Sequence, residues 1–492
     1  MKHFKKIFKI FVLILFIKFL LFLNKALNSE EKLLKISPET QQCIGCHSIY
    51  TPGIVKDWKE SLHAHVSLTA AIKKPQLERR VSAEKFPNSI NPEYIVGCFE
   101  CHGLNSQVHK DNFEHMGFNI NVVVSPKDCG VCHFREFKEY SQSKKAYAVK
   151  ILLENPIYNK LVETITNISK NPPSNSTLHE TCLGCHGTKI QMKGFKKIRS
   201  PIGEIKIPDL TNWPNHGVGR ENPDGSLGSC SSCHPRHSFS IEIARKPYTC
   251  AQCHLDPDVP AWNVYKESKH GNIYFSKEKE WKFDSVPWVL GEDFKAPTCA
   301  VCHNSLIVSS DGEVIVERTH DFGERLWVRI FGLIYSHPQP KVGDTTLIRN
   351  KEGLPLPITF NREVAKEYLI DEVEQQKRLN QMKSLCNNCH SRDYINGHFS
   401  KFENTIKETD EMVFQATHLL TEAWDKKIAN KEDPFDEYIE QLWIKQWLFY
   451  ANSIRYASAM TGAPDYATFK LGWWELKHNL EHMKEIMKLR SK

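Results

Sequence analysis

Every cysteine in this 492-residue chain belongs to one repeated string: two cysteines two residues apart, followed at once by histidine. The string occurs at Cys43, Cys46 and His47, at Cys98, Cys101 and His102, at Cys129, Cys132 and His133, and at Cys182, Cys185 and His186. It returns at Cys230, Cys233 and His234, at Cys250, Cys253 and His254, at Cys299, Cys302 and His303, and at Cys386, Cys389 and His390. Eight strings consume all 16 cysteines, so the spacing overrules a disulfide framework or a zinc half-site. Two thiols at this spacing add across the two vinyl groups of one haem, and the adjacent imidazole then reaches its iron. The expected cofactor is haem c, eight copies covalently attached, with the eight string histidines as metal ligands.

That inference changes what composition means. Lysine and arginine number 65 against 58 acids, but six lysines lie in the first 29 residues, which hold no acid, so the remainder is nearly neutral. Such a body lacks the basic patch that a phosphate backbone requires, and nucleic acid is not an expected partner. Sixteen haem propionates would bring the mature protein to about −15. The haems also supply apolar surface, so the polypeptide is expected to wrap them instead of building one conventional core, and the apoprotein to be largely unfolded.

Residues 1–29 read as an export signal or an N-terminal membrane anchor. Lys2, Lys5, Lys6 and Lys9 precede the apolar run Ile10 to Leu23, broken only by Lys18. The run is shorter than the roughly 20 apolar residues that cross a bilayer unaided, which favours a cleaved signal. Either way a periplasmic body is expected, soluble or tethered to the inner membrane.

Residues 30–400 form an octahaem cytochrome c domain, and 401–492 a C-terminal helical domain with the character of an oligomer contact. The predicted fold is mainly α and irregular: a multihaem cytochrome c with motifs on short helices and a bundle of long C-terminal helices. The latter are expected over 404–430, 433–460 and 465–488, with Asp433 as an N-cap ahead of Pro434. Ile439, Leu442, Trp443 and Trp447 recur at helical spacing, a stripe that suits core packing or a subunit interface. Strands are expected to be scarce, the best hairpin candidate lying at Gly312 and 313–317.

A second repeat runs through the chain. Trp58 to Ala64, Tyr140 to Ala146 and Tyr265 to Gly271 each carry an aromatic residue, a serine three later, then a basic and a small residue. An imidazole beside a small residue can approach a haem face closely, so His63 and His270 are candidate distal metal ligands. Lys145 occupies the same place in the third copy. Fourteen histidines stand outside the strings and the leader, enough for every iron to be six-coordinate.

From Asn212 to Gly271 the chain, with the later strings APTCAVCHNS and THDFGERL, resembles the octahaem hydroxylamine oxidoreductase family, which includes hydrazine dehydrogenases and nitrite-reducing relatives. The resemblance implies an oxidoreductase that interconverts hydroxylamine with nitric oxide or nitrite at one five-coordinate haem, the fourth along the chain. Cys182, Cys185 and His186 would hold that haem, with His186 in the catalytic position, while the other seven carry electrons. It implies a homotrimer and a redox partner such as a small cytochrome c or a membrane quinol-linked cytochrome. The family has Asp-His-Pro after the sixth motif; here the same place reads Asp258, Val259, Pro260, so Asp258 is the remaining candidate for moving substrate protons, with His216 as a spatial substitute. A C-terminal tyrosine cross-links to the active haem in the oxidative members, and Tyr456 and Tyr466 lie in the matching region. The missing histidine favours the reductive direction. Competing readings are a non-catalytic multihaem electron conduit and an octahaem reductase of sulfur oxyanions.

Overall fold

Helices in the first four-fifths of the chain are short because local capping and proline start them and the haem strings end them. Pro38–Tyr50 starts after Ser37, whose hydroxyl accepts from the Thr40 amide, and contains the first motif. Pro126–Gly130 starts on a reciprocal cap between Ser125 and Asp128 and carries the third. Cys98–His102, Cys182–His186 and Cys299–His303 are single helical turns that coincide with their motifs. This description comes from a computed structural model covering residues 34–166, 181–200, 203–331, 334–460 and 464–490. The expected leader at 1–29 lies outside the described residues, and among those described no helix is long and apolar enough to cross a membrane.

Strands are few and the fold is mainly α, as expected. Val314–Val316 pairs antiparallel with Ile307–Val308 after a turn at Gly312, whose φ is +89°, which is the hairpin read from the sequence. Ile307–Val308 also pairs in parallel with Trp288–Val289. The longest hairpin, Gln191–Ser200 with Gly203–Thr211, was not expected: a bulge between Met192 and Gly194 breaks its alternation. It follows directly on the fourth motif.

The C-terminal helices differ from expectation in their ends. The first runs as one 34-residue helix, Arg392–Asp425, begun by Ser391, whose hydroxyl accepts from the Tyr394 amide. The second starts not at Asp433 but at Tyr438, where the Glu440 carboxylate accepts both the Glu437 amide and the Trp424 indole N–H. It continues through a π-helical stretch, Lys445–Ala451, into Asn452–Ala459. The third is divided into Pro464–Thr468 and Trp473–Arg490. Ile439, Leu442, Trp443 and Trp447 are buried against Val413, Ala416 and Leu420 of the long helix and Leu476, Leu480 and Met483 of the last, so the stripe is core packing within the chain. A smaller aromatic cluster, including Tyr265, Tyr274, Trp288 and Phe294, sits beside the seventh motif.

Candidate functional site

One turn of helix sets each string's geometry. The amides of His133, His234, His254 and His390 each donate to the carbonyl of the cysteine four residues earlier, at 2.9 to 3.0 Å. The two thiols thus lie on neighbouring positions of a turn and the imidazole one turn on. Second partners then aim the rings. His102 Nδ1 donates to the Asn121 carbonyl at 2.7 Å and His186 Nδ1 to the Ala148 carbonyl at 3.1 Å, which leaves each Nε2 lone pair free. Burial keeps these imidazoles neutral: His234 and His303 are each pushed down to about 4 and His254 to about 3. A neutral imidazole is the form that binds iron.

Seven of the eight motifs contribute lining residues to one continuous internal cavity of about 1200 Å3, larger than the roughly 300–1,000 Å3 of an ordinary ligand pocket. None of the cysteines forms a disulfide. Thiols from different motifs also neighbour one another. Cys43 interacts with Cys98, Cys129 with Cys230, Cys185 with Cys253, and Cys250 with Cys299. Cys101 likewise interacts with Cys132, Cys233 with Cys250, and Cys302 with Cys386. The motifs therefore form a connected series, with the fourth joined to it through the sixth. Paired thiols, neutral buried imidazoles and an apolar cavity between them fit haem c as the bound group.

Both candidate distal histidines face a string histidine. The His63 and His133 ring centres are 6.2 Å apart, and those of His270 and His390 are 6.1 Å apart. That spacing suits two imidazoles on opposite sides of one metal at nitrogen distances of about 2 Å. His115 stands at 6.3 Å from His47 in the same relation. His237 is held down to about 4 by burial and then by His102, and His320 to about 3 by burial and then by His234. His337, also pushed down to about 3 by burial, donates from Nδ1 to the Pro338 carbonyl and keeps a buried, unpartnered Nε2. These histidines belong to loops and hairpins with no shared local pattern, so their number was visible in the sequence but not their partners.

The fourth motif has different company. Asp258 keeps an accessible side chain, yet the surrounding protein raises its carboxyl above the ordinary aspartate range, against the opposing pull of its backbone amides and of His186. Its charge acts on Cys182, Cys185 and His186. Val259 packs with Val264, Phe331 and Tyr456 in an apolar wall. The two tyrosines separate: Tyr456 lines the cavity and stacks on Phe331, ring centres 6.0 Å apart, whereas the Tyr466 hydroxyl donates to Asp256 at 2.9 Å. His216 is engaged elsewhere, 3.0 Å from the Arg236 guanidinium.

Comparison with known proteins agrees with this architecture. A family profile described as "Seven times multi-haem cytochrome CxxCH" matches residues 224–317, and one for cytochrome c554 and c-prime matches 128–204. A solved structure described as a hypothetical multihaem protein is 43% identical, with a TM-score of 0.88 over 94% of this chain and 97% of that one. A reducing HAO-like protein complex of Kuenenia stuttgartiensis shares the fold at a TM-score of 0.59 and 17% identity, over 92% of this chain and 84% of its own. A probable nitrite reductase-hydroxylamine oxidoreductase fusion protein of the same organism is 25% identical over 407 residues, 80% of this chain; the chain spans 37% of that relative's length. With covalent haem c as its cofactor, the chain belongs to the multihaem c-type cytochromes of the hydroxylamine oxidoreductase family.

Proposed function

We propose that this oxidoreductase attaches eight haems through its sixteen cysteines and converts small nitrogenous substrates, interconverting hydroxylamine with nitric oxide or nitrite at the haem held by Cys182, Cys185 and His186. The reductive direction is favoured. The other seven haems relay electrons, with His63 and His270 as distal ligands of two of them, from a small cytochrome c or a membrane quinol-linked cytochrome, in an exported homotrimer built from an octahaem body (30–400) and a helical C-terminal domain (401–492). The observation that carries the reading is Asp258. The loop after the sixth motif delivers a carboxyl group to the fourth, where His133 and His390 instead face a second imidazole.

A haem held by Cys182, Cys185 and His186 would supply the iron that exchanges electrons with an N–O group. The chain supplies the rest. Ala148 fixes the His186 ring by accepting its Nδ1 proton, so that Nε2 is the atom presented to the metal. Asp258, with its carboxyl raised, retains a proton to higher pH than an ordinary aspartate and so can hand it to a substrate oxygen as the N–O bond is reduced. Val259 and Phe331 keep the neighbouring wall apolar, which leaves that burden on Asp258.

The experiment compares the parent with Asp258→Asn. Both should carry eight thioether-linked haems, and cyanide or nitric oxide should perturb about one haem in eight. The variant should turn over at least about tenfold more slowly and lose the pH limb that lies above the usual aspartate range. A parent silent to both ligands would favour the electron conduit, and equal turnover across pH would remove Asp258 from proton transfer.

A further inference from the structure

The three aromatic-serine turns are the same structure built three times. Trp58, Tyr140 and Tyr265 are each buried and followed three residues on by a buried serine. Ser61, Ser143 and Ser268 donate from their hydroxyls to the carbonyls of those aromatics at 2.6, 2.6 and 2.7 Å, and from their amides to the same carbonyls at 2.9, 2.9 and 3.1 Å. The small residue that closes each turn has no room to grow: Ala64 and Ala146 are buried, and a Cβ on Gly271 would stand 2.0 Å from the Tyr265 carbonyl. The residue before it is therefore delivered in one fixed direction. In two copies that residue is a histidine with its ring 6.1 to 6.2 Å from a motif histidine. In the third it is Lys145, which lines the same cavity as Cys185, Cys253 and His254 and holds its Nζ 4.9 Å from the Phe322 ring centre. Among the charges bearing on the His254 ring, that of Lys145 acts most strongly.

We infer that Lys145 supplies the distal nitrogen to the iron of the haem held by Cys250, Cys253 and His254, so that the chain carries one lysine–histidine haem among its histidine–histidine haems. The inference rests on the reading that all eight strings attach haem. A primary amine binds a metal through its lone pair, so the ammonium gives up one proton to solvent as the nitrogen–iron bond forms, with no change in oxidation state. A long, flexible stem lets lysine span the distance that histidine covers with a ring. The sixth motif is the one whose thiols interact with those of both the fourth and the seventh. Axial-ligand identity is one of the protein's levers on haem potential. The substitution thus falls at the haem through which electrons pass to or from the fourth.

The test uses the intact holoprotein with Lys145→Ala and Lys145→His. Intact mass gives the haem number, which is eight if the underlying reading holds and is independent of this proposal. Lys145→Ala should double the number of haems that bind cyanide, from one to two, with a matching twofold rise in the high-spin signal. Lys145→His should return both to the parent level, remove the near-infrared signature of amine ligation and shift the potential of one haem. A Lys145→Ala protein that binds cyanide at one haem only, or a Lys145→His spectrum that matches the parent, overturns the assignment.

Discussion

The stretch from residue 34 to 390 and the helices from Arg392 onward solve the burial problem in different ways. Beyond Arg392, long helices bury leucine, isoleucine, methionine and tryptophan against one another, and Val413, Ala416, Leu420, Trp447 and Leu476 are fully enclosed. Before it, most helices are one or two turns long and bury little. Their place is taken by the haem cavity and by buried arginines that tie loops together. Arg220 donates to the carbonyls of Asn215 and Val124, Arg245 to those of Phe283 and Ser285, and Arg325 to those of Val301 and Ser305. A guanidinium carries five donors in a fixed fork, so one side chain can satisfy several loop carbonyls that short helices leave open. The contrast shows how a chain folds when its cofactors occupy the middle: apolar periodicity is needed only where the haems end.

The largest expected effect follows from that contrast. Chain produced without haem attachment should lose amide protection throughout residues 34–390, because the groups that fill the cavity are covalent parts of the fold. Helices Arg392–Asp425 and Trp473–Arg490 should keep more, since their core is made of their own side chains. Hydrogen exchange followed by mass spectrometry reads both regions at once. Uniform loss along the chain, or uniform retention, would break the distinction.

A smaller effect tests the joint between the regions. Arg455 is fully buried and pairs with Asp410 of the long helix, while its guanidinium also donates to the Ile330 and Ile334 carbonyls of the haem-bearing part. Ser336 adds an amide and a hydroxyl to the same carboxylate. Asp410→Ala leaves the guanidinium charged and unpaired in the interior, which should cost about 3–5 kcal/mol in denaturant-induced unfolding. The double replacement Asp410→Leu with Arg455→Met should recover most of it, because no charge is then stranded. If the single and double variants lost the same stability, the joint would owe its strength to packing alone.

What could be read beforehand divides along the same line. The attachment strings were legible because covalent chemistry fixes their spacing whatever the surrounding fold. The placement of His63 and His270 was legible because a local turn repeats around them. His115, His237 and His320 were not, since a hairpin and two loops bring them to their partners through contacts distant in sequence. Tyr456 and Tyr466 looked interchangeable until packing against Phe331 and a hydrogen bond to Asp256 set them apart. Among the long helices, the stripe Ile439 to Trp447 gave its buried face correctly. The helix ends were missed because Asp433 and Pro434 form a sound capping signal that loses to Glu440, whose buried carboxylate also serves Trp424. Local signals compete on equal terms, and tertiary contacts choose between them.

A last, smaller effect separates the regions by pH. His109 is buried in the haem-bearing part with Nδ1 3.3 Å from Asp111 and Nε2 3.2 Å from Asp128, and Asp224 lies 4.0 Å away. The ring hydrogen-bonds Asp128 through Nε2 and keeps Nδ1 beside the Asp111 carboxylate, so the surrounding acids favour the imidazolium. Burial alone would lower the histidine, but the Asp111 and Asp128 carboxylates outweigh it and raise it to about 9. The carboxylates are themselves committed: Asp111 accepts the amides of Val122 and Val123, and Asp128 those of Ser125 and the Asn105 side chain. Because the folded value lies above the unfolded one of about 6.5, the proton's contribution is complete below pH 6.5 and falls away as pH rises through about 9. It amounts to about 3 kcal/mol at most. In the C-terminal helices Glu440 is held up by burial to about 8, so its own loss lies earlier, between the carboxylate range and that value. His109→Gln should therefore flatten the fall in holoprotein stability between pH 6.5 and 9, measured by denaturant midpoint, while leaving the decline below pH 6.5 that belongs to Glu440. If His109→Gln kept the parent's slope at high pH, the imidazolium would not be what holds Asp111 and Asp128 together, and the alkaline weakness would have to come from the other region.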